Sequence, residues 1–323
     1  MNQRECITAI IPVRNGAFYL PNFLKNVIDI CSDTDEILFV EDHSTDETLA
    51  MLHAYSGQYS NIKVVRAEKP GLVNALNQGV AESSNEWLAR FDCDDKYART
   101  RLETQAKMIS QNVVCVFSDY KISDPNGRDF GFIPSPVDPL PTRLSLITNL
   151  RTPHPIALMR KSAVLQVGGY NTSDFPAEDL SLWLRLSRVG ELVSSPDTLL
   201  TYSLHNNSIT GTRYLESKTK AHELYRAHGI EHYEIDAAIT NFKNQRIRYL
   251  QNSFSKERTF LHYVDIFRNM LNSDYRRIQT IIFLVRNFHL DYFSAFTGLR
   301  REARRRQRFR NANQSKNSPV YAK

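Results

Sequence analysis

The chain is expected to fold as an α/β protein around a mostly parallel central sheet. Three observations predict this. Short β-branched apolar runs alternate with stretches of helical apolar spacing from residue 6 to about residue 105. Strand, helix, strand, helix at this rhythm means right-handed crossovers, hence parallel strands. The second and fourth runs each end in a cluster of acidic residues, and ligands of parallel sheets bind outside the carboxyl ends of strands.

The elements follow in order. "CITAIIPV" (6–13) reads as a buried strand closed by proline. "AFYLPNFLKNVIDIC" carries Leu20, Phe23, Leu24, Val27 and Ile28 at helical spacing. "DEILFVEDHSTDET" is a second strand running into a hydroxyl-rich turn, where Ser44 and Thr45 with Asp46 and Glu47 offer cap chemistry to the next helix, "DETLAMLHAYS". "NIKVVRAE" is a third strand and "GLVNALNQGVAES" a third helix with a glycine near its end. "EWLARFD" is a fourth strand, and Asp92, Asp94 and Asp95 stand at its end. A further strand is expected at "VVCVFSDYKI", then a Pro-rich loop, then strand, short helix and Gly turn in "HPIALMRKSAVLQVGGYN". "AEDLSLWLRLSRVG" is an amphipathic helix with Leu180, Trp183, Leu184 and Leu186 on its apolar side, and "LLTYSLHNNSIT" closes the first domain. The expected organisation is a catalytic domain over residues 1–211, a helical region over 212–310 with a basic amphipathic end, and a disordered tail over 311–323.

Composition narrows the function. A 41% hydrophobic and 24% charged chain of 323 residues can bury an ordinary core. The net charge of +6 is lopsided: residues 300–323 carry nine Lys or Arg and one Glu, so the rest is slightly acidic. No nucleic-acid partner is expected, because the near-neutral body offers no basic groove. Cys6, Cys31, Cys93 and Cys115 form no CxxC pair, which excludes a zinc ribbon and points to reduced thiols in the cytoplasm. No signal peptide and no transmembrane run are expected. There is no HExxH, GxSxG, GxxxxGK[ST] or GxGxxG, which sets aside zinc proteases, serine hydrolases, P-loop nucleotidases and dehydrogenases.

Three constellations remain. Asp92 and Asp94, two apart, share a face if the strand persists and flank one cavity if it has turned. They read either as a solvated acidic turn or as ligands for a hard divalent cation, which takes oxygen donors. Asp42 stands at its strand end as Asp92 does at its own, and fits either a turn or a contact to a ribose hydroxyl or base N–H. Glu178 and Asp179 open a helix; they read either as dipole-complementing acids or as a general base. His154 and His205 are two of nine histidines, each more readily explained by packing or surface than by ligation.

"IIPVRNG", "EILFVEDHSTDET", "GLVNALNQGV", "WLARFDCDD" and "AEDLSLWLRL", in this order, resemble the family 2 glycosyltransferases of the GT-A fold. "HPIALMRKSAVLQVGGYN" and "YSLHNNSIT" look like that family's bacterial envelope-polysaccharide branch. The resemblance covers residues 5 to about 212. It implies inverting transfer of a sugar from a nucleotide-sugar donor, most often a UDP-sugar, to a glycan or lipid-linked glycan acceptor, with Mn2+ or Mg2+ as cofactor. On this resemblance Asp42 contacts the uracil or ribose, and Pro12, Val13 and Arg14 line the base pocket. Asp92-Cys93-Asp94 is the DxD, with Asp94 the main metal ligand and Asp92 near ribose and metal. Asp179 is the general base, and His205 stands near the metal or diphosphate. Arg90, expected beside the donor, and Arg101 match family positions without an assigned role. Arg14 and Gly16 replace the family's usual acidic or aromatic loop residue, Glu41 replaces an aspartate, Arg99 a proline and Ser203 an arginine. A sugar-1-phosphate nucleotidyltransferase is the alternative enzyme; it would need a basic Gly-rich loop where "IPVRNGAFYLP" has one Gly and one Arg. A non-catalytic nucleotide- or sugar-binding subunit is the alternative outside catalysis.

The C-terminal region carries Ile281, Val285, Phe288, Tyr292, Phe296 and Leu299 at helical spacing, followed by seven arginines within residues 300–310. This reads either as a helix docked on the enzyme with a solvated basic end or as a peripheral anchor on anionic lipid. At about 1 kcal/mol per basic residue near such a surface, the second reading places the enzyme at the inner face of the cell membrane.

Overall fold

A computed structural model describes residues 4–123, 129–133, 153–203 and 209–230. They all fall in the first of two compact units, Met1–Ile239 and Thr240–Lys323. His205, the stripe over 281–299 and the basic end lie outside the described residues.

The strands are β1 (Ile7–Val13), β2 (Glu36–Glu41), β3 (Ile62–Arg66), β4 (Trp87–Arg90), β5 (Lys96–Tyr97), β6 (Val113–Ser123), β7 (Asp129–Ile133), β8 (Leu158–Arg160) and β9 (Glu191–Ser203). The helices are α1 (Leu20–Ile30), α2 (Thr48–Ser56), α3 (Leu72–Glu82), α4 (Arg101–Ala106), α5 (Lys161–Gln166), α6 (Glu178–Leu186), α7 (Ile209–Thr212) and α8 (Tyr214–Ala227). All nine strands join one sheet in the order β3-β2-β1-β4-β8-β6-β9-β5, with β7 paired to β6. The β3-β2-β1-β4 half is parallel, as expected. β8 enters antiparallel to both β4 and β6, while β6 and β9 pair in parallel.

β1 is buried along its whole length because it lies between β2 and β4 with helices against the sheet. Each fully buried Ile or Val side chain there contributes about 1.5–3 kcal/mol. α3 packs on β1 and β2 so closely that a Cβ on Gly79 would stand 2.6 Å from Ile10 Cγ2. The glycine near that helix's end thus permits close approach and does not stop the helix. α1 buries Leu20, Phe23, Leu24, Val27 and Ile30, with Ile28 only half-buried. α6 buries Ser181, Leu182, Trp183, Leu184 and Leu186. The expected Leu180 is half-exposed, because α6 is covered by both α5 and α8 and its buried face is wider than one stripe.

The sheet sets up the site through its order. The chain proceeds from β1 to β2 and β3 on one side, then returns to β4 on the other. The carboxyl ends of β1 and β4 are therefore a topological switch point, where a crevice opens between diverging connections. Val13 pairs with Glu41, and Ile10 with Arg90, so the turns after β1, β2 and β4 share one edge.

Candidate active site

The first corner of the crevice is built by two loops that hold each other. Asn15 and His43 both adopt left-handed backbone, with φ of 50° and 51°. The Asn15 N–H donates to Ser44 Oγ (2.9 Å), and Asn15 Oδ1 accepts from the Thr45 N–H (2.8 Å). The Gly16 N–H donates to Thr48 Oγ1 (2.8 Å), and the Ala17 N–H to Asp46 Oδ2 (3.2 Å). Ser44 and Thr45 therefore serve the β1–α1 loop rather than cap α2; Asp46 Oδ1 takes the Thr48 N–H instead (3.0 Å). Gly16 sits so tightly that a Cβ would lie 2.7 Å from Val13 Cγ1 and 3.2 Å from Cys93 Sγ. That contact ties this corner to the aspartate turn.

Pro12 and Val13 are buried in β1, and only Arg14 of the three expected pocket residues is exposed. Asp42 is 4% exposed; its N–H donates to the Val13 carbonyl (2.8 Å), and its Oδ1 accepts from the Gly71 N–H (2.7 Å). Gly71, at φ 113°, leads into α3. Asp42 thus fastens three elements at the strand ends with its N–H and one carboxylate oxygen.

The second corner is the turn after β4. The strand ends at Arg90, so the aspartates sit in a turn and face one another across a small space. One carboxylate oxygen from each of Asp92, Asp94 and Asp95 lies within 4.8 Å of the others. Asp92 and Asp94 are half-buried, and Asp95 is buried. Asp95 Oδ1 accepts from the Ser203 N–H (2.7 Å), while its buried Oδ2 has no partner among the described residues. Burial, together with the charges of Asp94 and Asp92, pushes the Asp95 carboxyl well above the usual carboxylate range. Three crowded carboxylates with an orphaned buried oxygen are a set that a hard divalent cation fits. The intervening Cys93 thiol is pushed up by burial and by its acidic neighbours, and a soft sulfur is a poor match for a cation that takes oxygen donors.

Two buried arginines brace this turn. Arg90 Nη2 donates to Asp92 Oδ1 (2.6 Å), and Nη1 to the Phe91 carbonyl. Burial opposes the Arg90 charge, but the Asp92 carboxylate together with Tyr97 and Tyr170 holds the pKa above its ordinary value. Arg101 Nη2 donates to the Arg90 carbonyl (2.8 Å) and Nε to Gln105 Oε1 (3.1 Å), and its guanidinium lies 3.9 Å from the centre of the Phe91 ring. Burial lowers it to about 10, still charged at neutral pH. The Tyr97 hydroxyl accepts from the Asp92 N–H (2.7 Å), which fixes the turn from below.

The third group opens α6. Asp179 Oδ1 accepts from the Leu180 N–H (2.7 Å). Burial raises the Asp179 carboxyl to about 6. Glu178 is buried with no partner for its Oε2 among the described residues, and burial plus the adjacent Asp179 charge raise it to about 8. Arg90 and Asp92 act electrostatically on Glu178, and Arg90 on Asp179, so the acid pair lies within electrostatic reach of the aspartate turn. His154 is packing: buried against Trp183, with Nε2 2.7 Å from the Tyr170 hydroxyl and its pKa driven well below the usual value by burial.

The structure therefore gathers Asp42, Arg90, Asp92, Asp94 and Asp179 around one end of the sheet. Asp95, Tyr97 and Gln105 were not singled out as site residues. Asp95 had a signal, being third in the acidic run; the other two reveal themselves only through partners far along the chain.

Comparison with known proteins agrees with this architecture. The model of the family Glycosyl transferase family 2 matches residues 8–168, which include Asp42 and the aspartate turn; Asp179 lies beyond them. An uncharacterized glycosyltransferase of Haemophilus influenzae is 24% identical over 239 residues, 70% of this chain and 74% of the relative. The putative teichuronic acid biosynthesis glycosyltransferase TuaG of Bacillus subtilis is 26% identical over 222 residues, 67% of this chain and 86% of TuaG. Among solved structures, S. aureus TarS residues 1–349 with UDP-GlcNAc gives a TM-score of 0.59 at 19% identity, covering 76% of this chain and 73% of that one. The mannosyltransferase PcManGT of Pyrobaculum calidifontis, with GDP-Man and Mn2+, gives 0.56 at 15% identity, covering 91% and 88%. Among the described residues no helix is long and apolar enough to cross a membrane. With its sheet order, its acidic turn and the matched stretch in agreement, the chain belongs to glycosyl transferase family 2 and has a GT-A fold.

Proposed function

We propose that this enzyme moves a sugar from a nucleotide diphosphate donor, a UDP-sugar first among them, to a hydroxyl of a glycan or lipid-linked glycan in cell-envelope polysaccharide synthesis. The observation that carries the reading is the triad of carboxylates at the switch point, facing a second, partly protonated acid pair. The UDP-GlcNAc bound to TarS, the GDP-Man bound to PcManGT and the putative teichuronic acid role of TuaG support the donor class and the setting.

Asp94, Asp92 and Asp95 would hold Mn2+ or Mg2+, with His205 a further candidate; the cation supplies Lewis-acid neutralisation of the departing diphosphate. Asp42 binds the nucleoside from the β2 end, beside Pro12, Val13 and Arg14. Arg90 holds Asp92 in place by its ion pair. Asp179 takes the proton of the acceptor hydroxyl as that oxygen attacks the anomeric carbon. Attack from the face opposite the diphosphate inverts the centre and yields a β-linkage from an α-linked donor.

Thermal-shift measurement with UDP-, GDP-, dTDP- and CMP-sugars plus Mn2+ tests the donor reading. A donor at a hundred times its Kd adds about 2.7 kcal/mol of stability, so one nucleotide class should raise the melting temperature by several degrees, and only with the metal present. No shift with any of them would overturn it.

A further inference from the structure

Tyr225 stands outside the residues matched by the family model, on α8, which packs against α6. Its side chain is 1% exposed, and its ring lies edge-on to His222 at 6.4 Å. Its hydroxyl has no hydrogen-bond partner among the described residues. A buried hydroxyl left unpaired destabilises a fold, and phenylalanine would fill the same space without that cost. Such a group persists where a partner arrives later. Burial first, and the Asp179 carboxylate after it, make ionisation of Tyr225 harder, so Tyr225 on α8 and Asp179 on the helix packed against it lie within electrostatic reach. The other titratable groups acting on Asp179 are Glu178 beside it on α6, Arg90 from β4 and Tyr170 from the turn after α5. Asp179 Oδ1 already holds the Leu180 N–H.

We infer that Tyr225 is a positioning residue for the transfer reaction: in the substrate complex its O–H donates to the Asp179 carboxylate and aims the remaining oxygen lone pairs at the acceptor hydroxyl. The inference rests on Asp179 being the base, as proposed above. It gives the helical segment after β9 a part in the chemistry: α8 completes the acceptor side of a site whose donor side lies within the matched residues.

The test is Tyr225→Phe in the full chain, with water as acceptor. Hydrolysis of the nucleotide sugar that most stabilises the protein is followed with Mn2+ across pH. The hydroxyl is unpaired at rest, so the melting temperature should stay level or rise. Losing a hydrogen bond to a charged group should lower kcat about tenfold, with the donor KM unchanged. A donated hydrogen bond stabilises the carboxylate, so its loss raises the base pKa. The acid limb of kcat should therefore move to higher pH, while that of kcat/KM, which reports the free enzyme, stays in place. A lower melting temperature with wild-type kcat and pH profile would make the hydroxyl structural and overturn the inference, as would wild-type behaviour throughout. Asp179→Asn measured alongside separates the two readings. If it keeps most of the turnover, the base assignment fails and this inference with it; if it is inactive while Tyr225→Phe is unaffected, only the role of Tyr225 fails.

Discussion

Asp94→Ala should lower sugar transfer by at least about a thousandfold, the equivalent of some 4 kcal/mol in the barrier. The expected size follows from the carboxylate cluster. Asp92, Asp94 and Asp95 bring oxygens within 4.8 Å of one another, and Asp95 is already driven toward its neutral form by burial and by its neighbours' charges. Asp94 lies at the half-buried side of the turn, outside the core, so alanine there opens no core cavity and removes a repelling charge. The melting temperature of the free variant should equal or exceed that of wild type. In wild type, EDTA should abolish turnover and Mn2+ or Mg2+ should restore it; in the variant, added metal should not. Full wild-type activity in chelator would remove the metal from the account. A variant that melts much lower would mean that the turn depends on Asp94 for its fold.

Asp179→Asn should lower turnover by about 10²–10⁴-fold, the usual contribution of a positioned base, with donor binding nearly unchanged. Asparagine keeps the shape and the acceptor oxygen for the Leu180 N–H. What it loses is the ability to take a proton. The wild-type pH profile should show the same group. Burial places the Asp179 carboxyl at about 6. Below that pH the carboxyl is protonated and cannot act as a base, so kcat/KM, which reports the free enzyme, should fall as pH drops through about 6 and level off above it. The Asn variant should lack this acid limb. If it retains most of its activity, Asp179 is only an acid at a helix start.

The features legible in the sequence are those written locally. β1, β2 and β4 are short apolar runs, and their order with the intervening helices dictates the parallel half of the sheet. Asp42 and Asp92 follow such runs directly, so their place on one edge could be reasoned from topology. β5, two residues long, carries no periodic signal. The first half of β9 was hidden by Pro196 and Asp197, where the pairing with β6 skips from Ser195 to Thr198 as a bulge absorbs the missing N–H. The braces of the site were illegible for a different reason. Gln105 Nε2 reaches the carbonyls of Val116 and Ile156, Asn15 reaches Thr45, and Asp95 holds Ser203 across more than a hundred residues. Such contacts depend on where the sheet delivers distant segments, and no local pattern encodes that.

The central claim, that a carboxylate on α6 directs a hydroxyl at the anomeric carbon opposite the diphosphate, is tested most directly by the anomer released when water is the acceptor. Proton NMR of the hydrolysis of an α-linked nucleotide sugar, begun with a high enzyme concentration, resolves the product before mutarotation mixes it. The account predicts the β anomer first, with the α anomer appearing only at the rate of spontaneous mutarotation. The α anomer as the initial product would contradict it.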